Sequence, residues 1–494
     1  MKIQLFTIRN LPLATILLLL IYVLRLPNLT NFPLFIDETV HLYAAEGVLQ
    51  DSSPLFQVWL GRQFTILWYA LFGAPLVAPV FVSRFVTLLV VMMGAAAVLS
   101  ISRHFGGRLA MILAGFFYAL STYHLFFERL ALADNIAGGA ILLAAWAALR
   151  LQNQVKLSDA VLMGVLLFLA FGAKVSALPY FGIPLAAVVA LTSPNRSLMS
   201  TMRWLSVGLG VASVTTLAYI MLVRSRGSDV LNNSLSLAIS ARATADLAVL
   251  FSPVRILGNV GITLDAIAPY WGTFGFLLLL GGLIVLVLKR QFYLPLIVLG
   301  PLIPMWISVV QETRFLVSAV ALLIVAGAVG ITQVINWIPS RLHRVAVASV
   351  ALIAVIPWLG FAEALYINPT QLALPPRDYE QYIRSDASGF NLREAADYIT
   401  KQGDVVEIIG AMPNCQSLRY MTLHSLPVTC PPISPNPDTG IALLALLGER
   451  REPGIYLILE RNPYIPQDVP GTLLAEISTP ILGRPVLAIY DLAD

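Results

Sequence analysis

The sequence predicts a polytopic α-helical membrane protein with a small C-terminal extracytoplasmic α/β domain. Three observations predict it. Hydrophobic residues make up 58% of the 494 residues and charged residues only 12%, about half the charged share of a soluble domain. Long apolar runs recur through the first three quarters of the chain. The last quarter loses them and alternates short apolar stretches with prolines and charges. This composition excludes a disordered chain, a fibrous repeat and an ordinary water-soluble enzyme. A net charge of +4 without clustered Lys/Arg argues against nucleic acid as a partner.

The runs divide into about eleven spans at roughly 20 residues per crossing. They lie near 11–27, 81–102, 109–126, 135–151, 158–173, 175–191, 204–223, 270–288, 292–310, 315–337 and 345–366. The first follows a basic start, Lys2 and Arg9, with no small-residue cleavage site after it, and reads as a transmembrane helix rather than a signal peptide. The fifth and sixth are short enough to form a tight pair that does not fully cross.

Charge sets the orientation. The pairs Lys2/Arg9, Arg103/Arg108, Arg150/Lys156, Arg196/Arg203, Lys289/Arg290 and Arg341/Arg344 fall on one side of such a bundle. The positive-inside rule makes that side the cytoplasm. The expectation is a plasma (inner) membrane protein with its N-terminus inside and its C-terminus outside. Residues 1–366 form the membrane domain and 367–494 the outward domain. Residues 28–80 and 224–269 are long outward loops, the first with helices lying in the interface and the second with helix-like stretches around 231–250.

In the tail, Asn391–Lys401 reads as an amphipathic helix with Leu392, Ala395, Ala396 and Ile399 on one face. Val405–Ile409, Ile455–Leu459 and Val486–Tyr490 read as buried strands. Residues 427–439 hold five prolines and read as a loop. Cys415 and Cys430 are the two cysteines. Outside the cytoplasm a disulfide is open to them, as are two unpaired thiols.

The sharpest motif is Phe35-Ile36-Asp37-Glu38 in the first outward loop. A carboxylate partly desolvated at a membrane surface gains basicity, which suits a general base. Capping of the helix Thr39–Val48 by Asp37 explains the residue equally well. His41 lies one turn beyond Glu38 and faces the same cavity on a helix. Next, Glu128-Arg129 and Asp134-Asn135 flank the outward junction of the third and fourth spans. Asp134 also suits a plain cap, and Arg129 a snorkelling side chain. Lys174 sits between two apolar spans, where an ionisable residue is a functional candidate and an ammonium suits phosphate. Glu312-Thr313-Arg314-Phe315 opens the tenth span, and Arg314 suits either bidentate phosphate binding or a pair with Glu312. Nothing requires a cofactor, yet a divalent cation is compatible with the oxygens of Asp37, Glu38 and Asp134. There is no P-loop, no GxSxG elbow, no GxGxxG after a strand and no HExxH.

The order of these motifs resembles the GT-C superfamily of membrane glycosyltransferases, most of all the branch of protein O-mannosyltransferases and the lipid A aminoarabinose transferase. The passages that carry it are Asp37-Glu38 in a long first loop, Val82-Ser-Arg84-Phe85 opening the second span, and Phe127-Glu-Arg129-Leu-Ala-Leu-Ala-Asp134 before the fourth. Gly172-Ala-Lys174 and Arg314-Phe315 complete them. The family's usual Arg-Tyr is Arg314-Phe315 here, and Thr39-Val40-His41 replaces the common aromatic-rich continuation.

The resemblance implies an inverting glycosyltransferase that takes a sugar from a polyprenyl-phosphate donor in the outer leaflet to an unknown acceptor. It implies Asp37 as base, Glu38 assisting or holding a cation, and Asp134 orienting a substrate. It implies Lys174, Arg314 and Arg129 on the phosphate, with His41 and Arg84 among the substrate-binding residues. A transporter or lipid-sugar flippase coupled through Asp37, Asp134 and Lys174 is the alternative. The lack of matched halves and the position of these charges at span ends count against it. A non-catalytic scaffold with a partner-binding tail is the third reading.

Overall fold

The computed structural model describes residues 11–50, 62–154, 156–191, 198–225, 252–307, 312–412, 414–431, 443–448, 450, 452–460, 469–478 and 485–493. Lys2, Arg9, Arg196, the 231–250 stretch and most of the proline-rich 427–439 loop lie outside the described residues.

Helices dominate, because a chain crossing lipid must satisfy its backbone polar groups internally. Helix α1 spans Leu11–Arg25. The first loop then folds as α2, Ile36–Leu49, and α3, Gln63–Leu71. The long α4, Pro79–Leu120, bends at Gly107, whose φ of 73° leaves the helical region. It thereby carries two of the expected spans. α5 is Thr122–Phe127, α6 Ala133–Gln154 and α7 Leu157–Ala173. The expected sixth span is a 3₁₀ turn, Val175–Gly182, running into α8, Ile183–Leu191. Pro179 within that turn lacks the N–H an α-helix would use. α9 is Leu198–Ser225.

Helix α10, Pro253–Leu288, differs from expectation. It begins inside the segment read as outward loop and bends at Gly272, with φ 62°. Polar Asn259 and Asp265 lowered the apparent hydropathy of its first half. The ninth expected span breaks into α11, Tyr293–Leu299, and α12, Leu302–Ile307, around Gly300-Pro301. A 3₁₀ turn, Thr313–Leu316, leads into α13, Val317–Ile335, and α14 is His343–Ile367. Among the described residues, six helices are long and apolar enough to cross a membrane and four shorter ones are apolar. The protein is a multi-pass membrane protein. α13 is the buried centre, packed against α4 and α10, while α14 turns large side chains such as Leu352, Ile356 and Leu359 outward.

Among the described residues the tail forms a five-stranded sheet in the order β2-β1-β3-β5-β4. The strands are β1 Glu407–Ala411, β2 Val428–Thr429, β3 Ile455–Glu460, β4 Thr472–Ser478 and β5 Pro485–Asp491. β1 runs parallel to β2 and β3, and β5 antiparallel to β3 and β4. β1, β3 and β5 match the expected strands within two residues. Their apolar runs are continuous because both faces are covered. On one face Ile408, Ile458 and Ile489 pack against Leu392, Ala395, Ala396 and Ile399 of α16, Phe390–Thr400, the expected amphipathic helix. On the other face Ile409, Leu457 and Leu459 meet Leu443 and Leu447. β4 is an exposed edge strand, and β2 is two residues long; neither carries a strong apolar pattern. The tail also holds the short helices α15, Pro376–Tyr379, and α17, Gln416–Met421. Cys415 and Cys430 form a disulfide with Cα atoms 5.8 Å apart, which ties α17 to β2.

The tail docks on the first loop. Arg419 Nη2 and Tyr420 Oη of α17 donate to the Glu46 carboxylate of α2 at 3.0 and 2.8 Å. Thr39 Oγ1 and Ser417 Oγ share a hydrogen bond of 2.5 Å. Arg393 donates to the carbonyls of Thr30 and Asn31. Gly389, which begins α16, has φ +76°, and a Cβ there would meet the Leu34 carbonyl at 2.5 Å. Only glycine allows both the left-handed turn and that approach.

Candidate active site

Helix α2 explains why two adjacent carboxylates serve different ends. Its N-cap is Phe35, and Glu38 sits at the third helical position. Glu38 accepts the Phe35 N–H at 3.0 Å, closing the first turn as a capping-box glutamate does. It also accepts from Arg84 Nε at 2.8 Å, from Arg84 Nη2 at 2.6 Å and from the Ala131 N–H at 2.5 Å. Both side chains are 0% exposed. Arg84 spends its remaining N–H groups on the carbonyls of Leu29, Phe32 and Pro33. A guanidinium has five donors, and all five are engaged. Arg84 thus has no donor left for a phosphate, and Glu38 faces no open space. The expectation placed Arg84 on substrate and Glu38 in the chemistry; the structure pairs the two with each other. The pair instead clamps the first loop to α4 and to the turn before α6.

Asp37 points elsewhere, a fifth exposed. Its carboxylate pairs with Arg314 Nη1, and Arg62 Nη2 lies 3.8 Å away. Lys174 Nζ grips both oxygens of Asp134, at 2.6 and 2.5 Å, and sits 4.1 Å over the Phe315 ring. Arg314 Nε lies 4.0 Å from Asp134, and Nη2 pairs with Glu312. Three carboxylates, Asp37, Asp134 and Glu312, therefore face three cations, Arg62, Lys174 and Arg314. The elements come from far apart in sequence: α2, the start of α3, the first turn of α6, the junction after α7 and the turn before α13. Asp134 lies in the first helical turn, where the α6 dipole favours its charge.

His41 completes this wall. Its Nε2 lies 3.1 Å from Arg62 Nη1 and its Nδ1 3.4 Å from the Ala131 carbonyl. Arginine only donates, so Nε2 accepts and the proton sits on Nδ1. Burial, and then the Arg62 charge, push the imidazole down to about 3, so it stays neutral and holds Arg62 in place. For Asp37, burial alone would raise the carboxyl. The charges of Arg314 and Arg62 outweigh it and hold the group well below the usual carboxylate range. The added basicity expected at the membrane surface is thus absent while both guanidiniums face this carboxylate.

Arg129 is not brought to the cluster. It donates to the Asn28 carbonyl at 2.8 Å and stacks 5.0 Å over Tyr366. Glu128 is likewise interior, paired with Arg25 at 2.6 Å and with the Tyr118 hydroxyl. The Asp37, Glu38 and Asp134 carboxylates considered for a divalent cation each pair with a cation of the chain here: Arg314, Arg84 and Lys174. No group of three or more His, Cys, Asp and Glu among the described residues is arranged to hold a metal. Sequence reasoning missed Arg62, whose signal was a cation inside the loop that bears the acidic pair. It also missed Tyr382, which the tail lays 4.6 Å from the Phe35 ring, itself 5.6 Å from Arg314.

No protein-family model and no curated protein matches the chain. Solved structures do. ArnT from Cupriavidus metallidurans bound to undecaprenyl phosphate matches with a TM-score of 0.63 and 12% identity, over 99% of this chain and 100% of that one. The Archaeoglobus fulgidus oligosaccharyltransferase in its apo form matches with a TM-score of 0.54 and 14% identity, over 91% of this chain and 69% of that one. Its complex with Zn and sulfate matches at 0.51 and 14%, over 90% and 67%. At these identities the likeness is one of fold alone.

Proposed function

We propose that the protein is an inverting glycosyltransferase, moving a sugar from a polyprenyl-phosphate donor to a lipid, glycan or protein acceptor on the extracytoplasmic face. The observation that carries this reading is Asp37 set among Arg62, Arg314 and the Lys174–Asp134 pair. In this reading the N-terminus is cytoplasmic and the tail extracytoplasmic, where a Cys415–Cys430 disulfide persists.

The chemistry follows from the charges. The acceptor hydroxyl gives its proton to the Asp37 carboxylate as its oxygen attacks the anomeric carbon. The bond from that carbon to the phosphate oxygen breaks, and the lipid phosphate leaves with the electron pair. Arg314, Lys174 and Arg62 meet the charge that develops there. Without donor these cations are spent on Asp37, Asp134 and Glu312. A phosphate arriving among them competes for the same N–H groups, so donor binding itself returns basicity to Asp37. The carboxylate is thereby a strong base only when there is a sugar to transfer. Asp134 orients Lys174, and the Glu38–Arg84 clamp positions α2. That an ArnT structure with this fold holds undecaprenyl phosphate supports the choice of donor class. No step here runs through a metal.

The test is release of free polyprenyl phosphate by purified protein in liposomes, with a panel of polyprenyl-phosphate sugars and a membrane extract as acceptor source. Release with one sugar, lost in Asp37→Asn, is expected. Silence of the folded wild type across the whole panel with extract present would overturn the reading.

A further inference from the structure

One end of the bundle carries cations that no carboxylate of the chain answers. The turn after α10 holds Lys289 and Arg290. The connection from α13 to α14 holds Arg341, and Arg344 lies in the first turn of α14. All four are exposed. Residues 281–300 and 331–350, which surround them, contain no Asp or Glu. None of the four makes an ion pair among the described residues, whereas every cation of the Asp37 cluster does.

The two turns are held together. Lys289 Nζ lies 4.7 Å over the Trp337 ring, and Gln333 Nε2 donates to Gln291 Oε1 at 2.7 Å. His343 donates from Nε2 to the Ile338 carbonyl at 2.7 Å, so it adds no free group. Arg290 closes α10 with φ 57°. Its N–H bonds the Val287 carbonyl and the Gln291 N–H bonds the Leu286 carbonyl, both at 2.9 Å, the two bonds of a Schellman cap. Glycine is the usual residue at that left-handed position, because a Cβ is strained there. A cation occupies it here. The helix dipole favours one charge at a carboxyl terminus; it gives no reason for Arg341 and Arg344, which precede or open a helix.

Beside the cations the surface is apolar and open. Ile284 and Leu288 of α10 are 57% and 77% exposed, Val345 of α14 61% and Trp337 61%. The buried residues of α14 begin only at Val350. The helix meets α10 further on, where a Cβ on Gly272 would lie 3.7 Å from Pro357. In a multi-pass protein such side chains face acyl chains, and an exposed Trp at a span end marks the headgroup level. The anions at that level are lipid phosphates. A guanidinium grips phosphate bidentately, and each Lys or Arg near the surface favours anionic lipid.

We propose that Lys289, Arg290, Trp337, Arg341 and Arg344 form a binding surface for an anionic phospholipid. The cations hold its headgroup, and its acyl chains lie along the exposed side chains of α10 and α14. The surface is the same whichever leaflet it faces, and it stands apart from glycosyl transfer.

The full chain in neutral detergent is titrated with phosphatidylglycerol and with phosphatidylcholine of the same acyl chains, and bound lipid is read by native mass spectrometry. The wild type is expected to bind phosphatidylglycerol saturably and the more tightly of the two. Each cation is worth about fivefold in affinity. Arg341→Gln with Arg344→Gln therefore weakens phosphatidylglycerol about twenty-fold and leaves phosphatidylcholine unchanged. Arg290→Gly weakens it about fivefold with a thermal midpoint equal to or above that of the wild type, since glycine relieves the left-handed turn. This variant carries the test if the double one fails to fold. Arg255→Gln, near the far end of α10, leaves binding unchanged. Equal binding of the two lipids by the wild type would overturn the proposal, as would folded variants that keep wild-type affinity. A loss in Arg255→Gln as large as that in Arg290→Gly would reduce the effect to bulk charge and sink the site. Displacement of the lipid by inorganic phosphate or a poly-glutamate peptide, at equal ionic strength, would show that lipid is the wrong occupant.

Discussion

Glu38→Gln and Asp37→Asn make opposite changes at neighbouring positions. Glu38 is fully buried and meets four donors: two from Arg84 and the N–H groups of Phe35 and Ala131. Glutamine is nearly the same size but brings two N–H donors of its own into a site built only of donors. It also leaves the buried Arg84 charge uncompensated. Removing one partner of a buried pair costs about 3–5 kcal/mol, which lowers the thermal midpoint of a 494-residue chain by roughly 3–5 °C. Asp37 is a fifth exposed, and its cations keep other partners: Arg314 holds Glu312 and approaches Asp134, and Arg62 holds His41. Asp37→Asn therefore costs less stability than Glu38→Gln, about 1–3 kcal/mol for the charge left on Arg314. It removes the proton acceptor, a loss of roughly 10²–10⁴ in rate. The assay pairs thermal unfolding of the detergent-solubilised protein with polyprenyl-phosphate release. A Glu38→Gln protein with the wild-type midpoint and no activity, beside an active Asp37→Asn protein, would put the base on Glu38 and refute the division of roles.

Three further outcomes follow from the tail. Asp378 of α15 accepts the Tyr270 hydroxyl at 2.8 Å, and burial pushes its carboxyl up to about 6. The folded state then holds a proton that the unfolded chain releases near 4, so stability falls as pH rises from about 4 to about 6, by about 3 kcal/mol, and is flat above. Asp378→Asn should flatten that window in a midpoint-against-pH series; an unchanged slope would discard Asp378 as its source. Cys415→Ser with Cys430→Ser opens a link across 15 residues, worth about 3 kcal/mol in the chain-entropy model. Limited proteolysis should show faster cleavage within 416–431, and equal rates would count against the link as a stabiliser. Gly389→Ala forces a left-handed residue, costing roughly 1–2 kcal/mol, and sets a Cβ against the Leu34 carbonyl. Hydrogen exchange should speed up in both Ile36–Leu49 and Phe390–Thr400, and a change confined to one would show that the two are not docked through this turn.

The sequence by itself determined the class of the protein and most of its elements. Apolar runs in lipid leave helices as the open form for this chain, and the amphipathic face Leu392–Ile399 and the runs at 405–409 and 455–459 carry their periods in one dimension. It also singled out Asp37, Asp134, Lys174, Arg314 and His41, which the fold brings together, because charges at the ends of apolar spans stand out. Only the tertiary structure decided what each charge does. Asp37 and Glu38 are adjacent in sequence, yet helical rotation sends one to Arg84 in the interior and the other to Arg314 at the opening. Arg129 and Arg84 read as candidates on the same grounds as Arg314, and their roles depend on carbonyls more than fifty residues away. Arg62 was overlooked because no local pattern marks which loop cation will turn toward a carboxylate. The division of α4 at Gly107 and of α10 at Gly272 was hidden for a related reason. Glycine permits a left-handed turn anywhere, but packing against neighbouring helices decides where one is used.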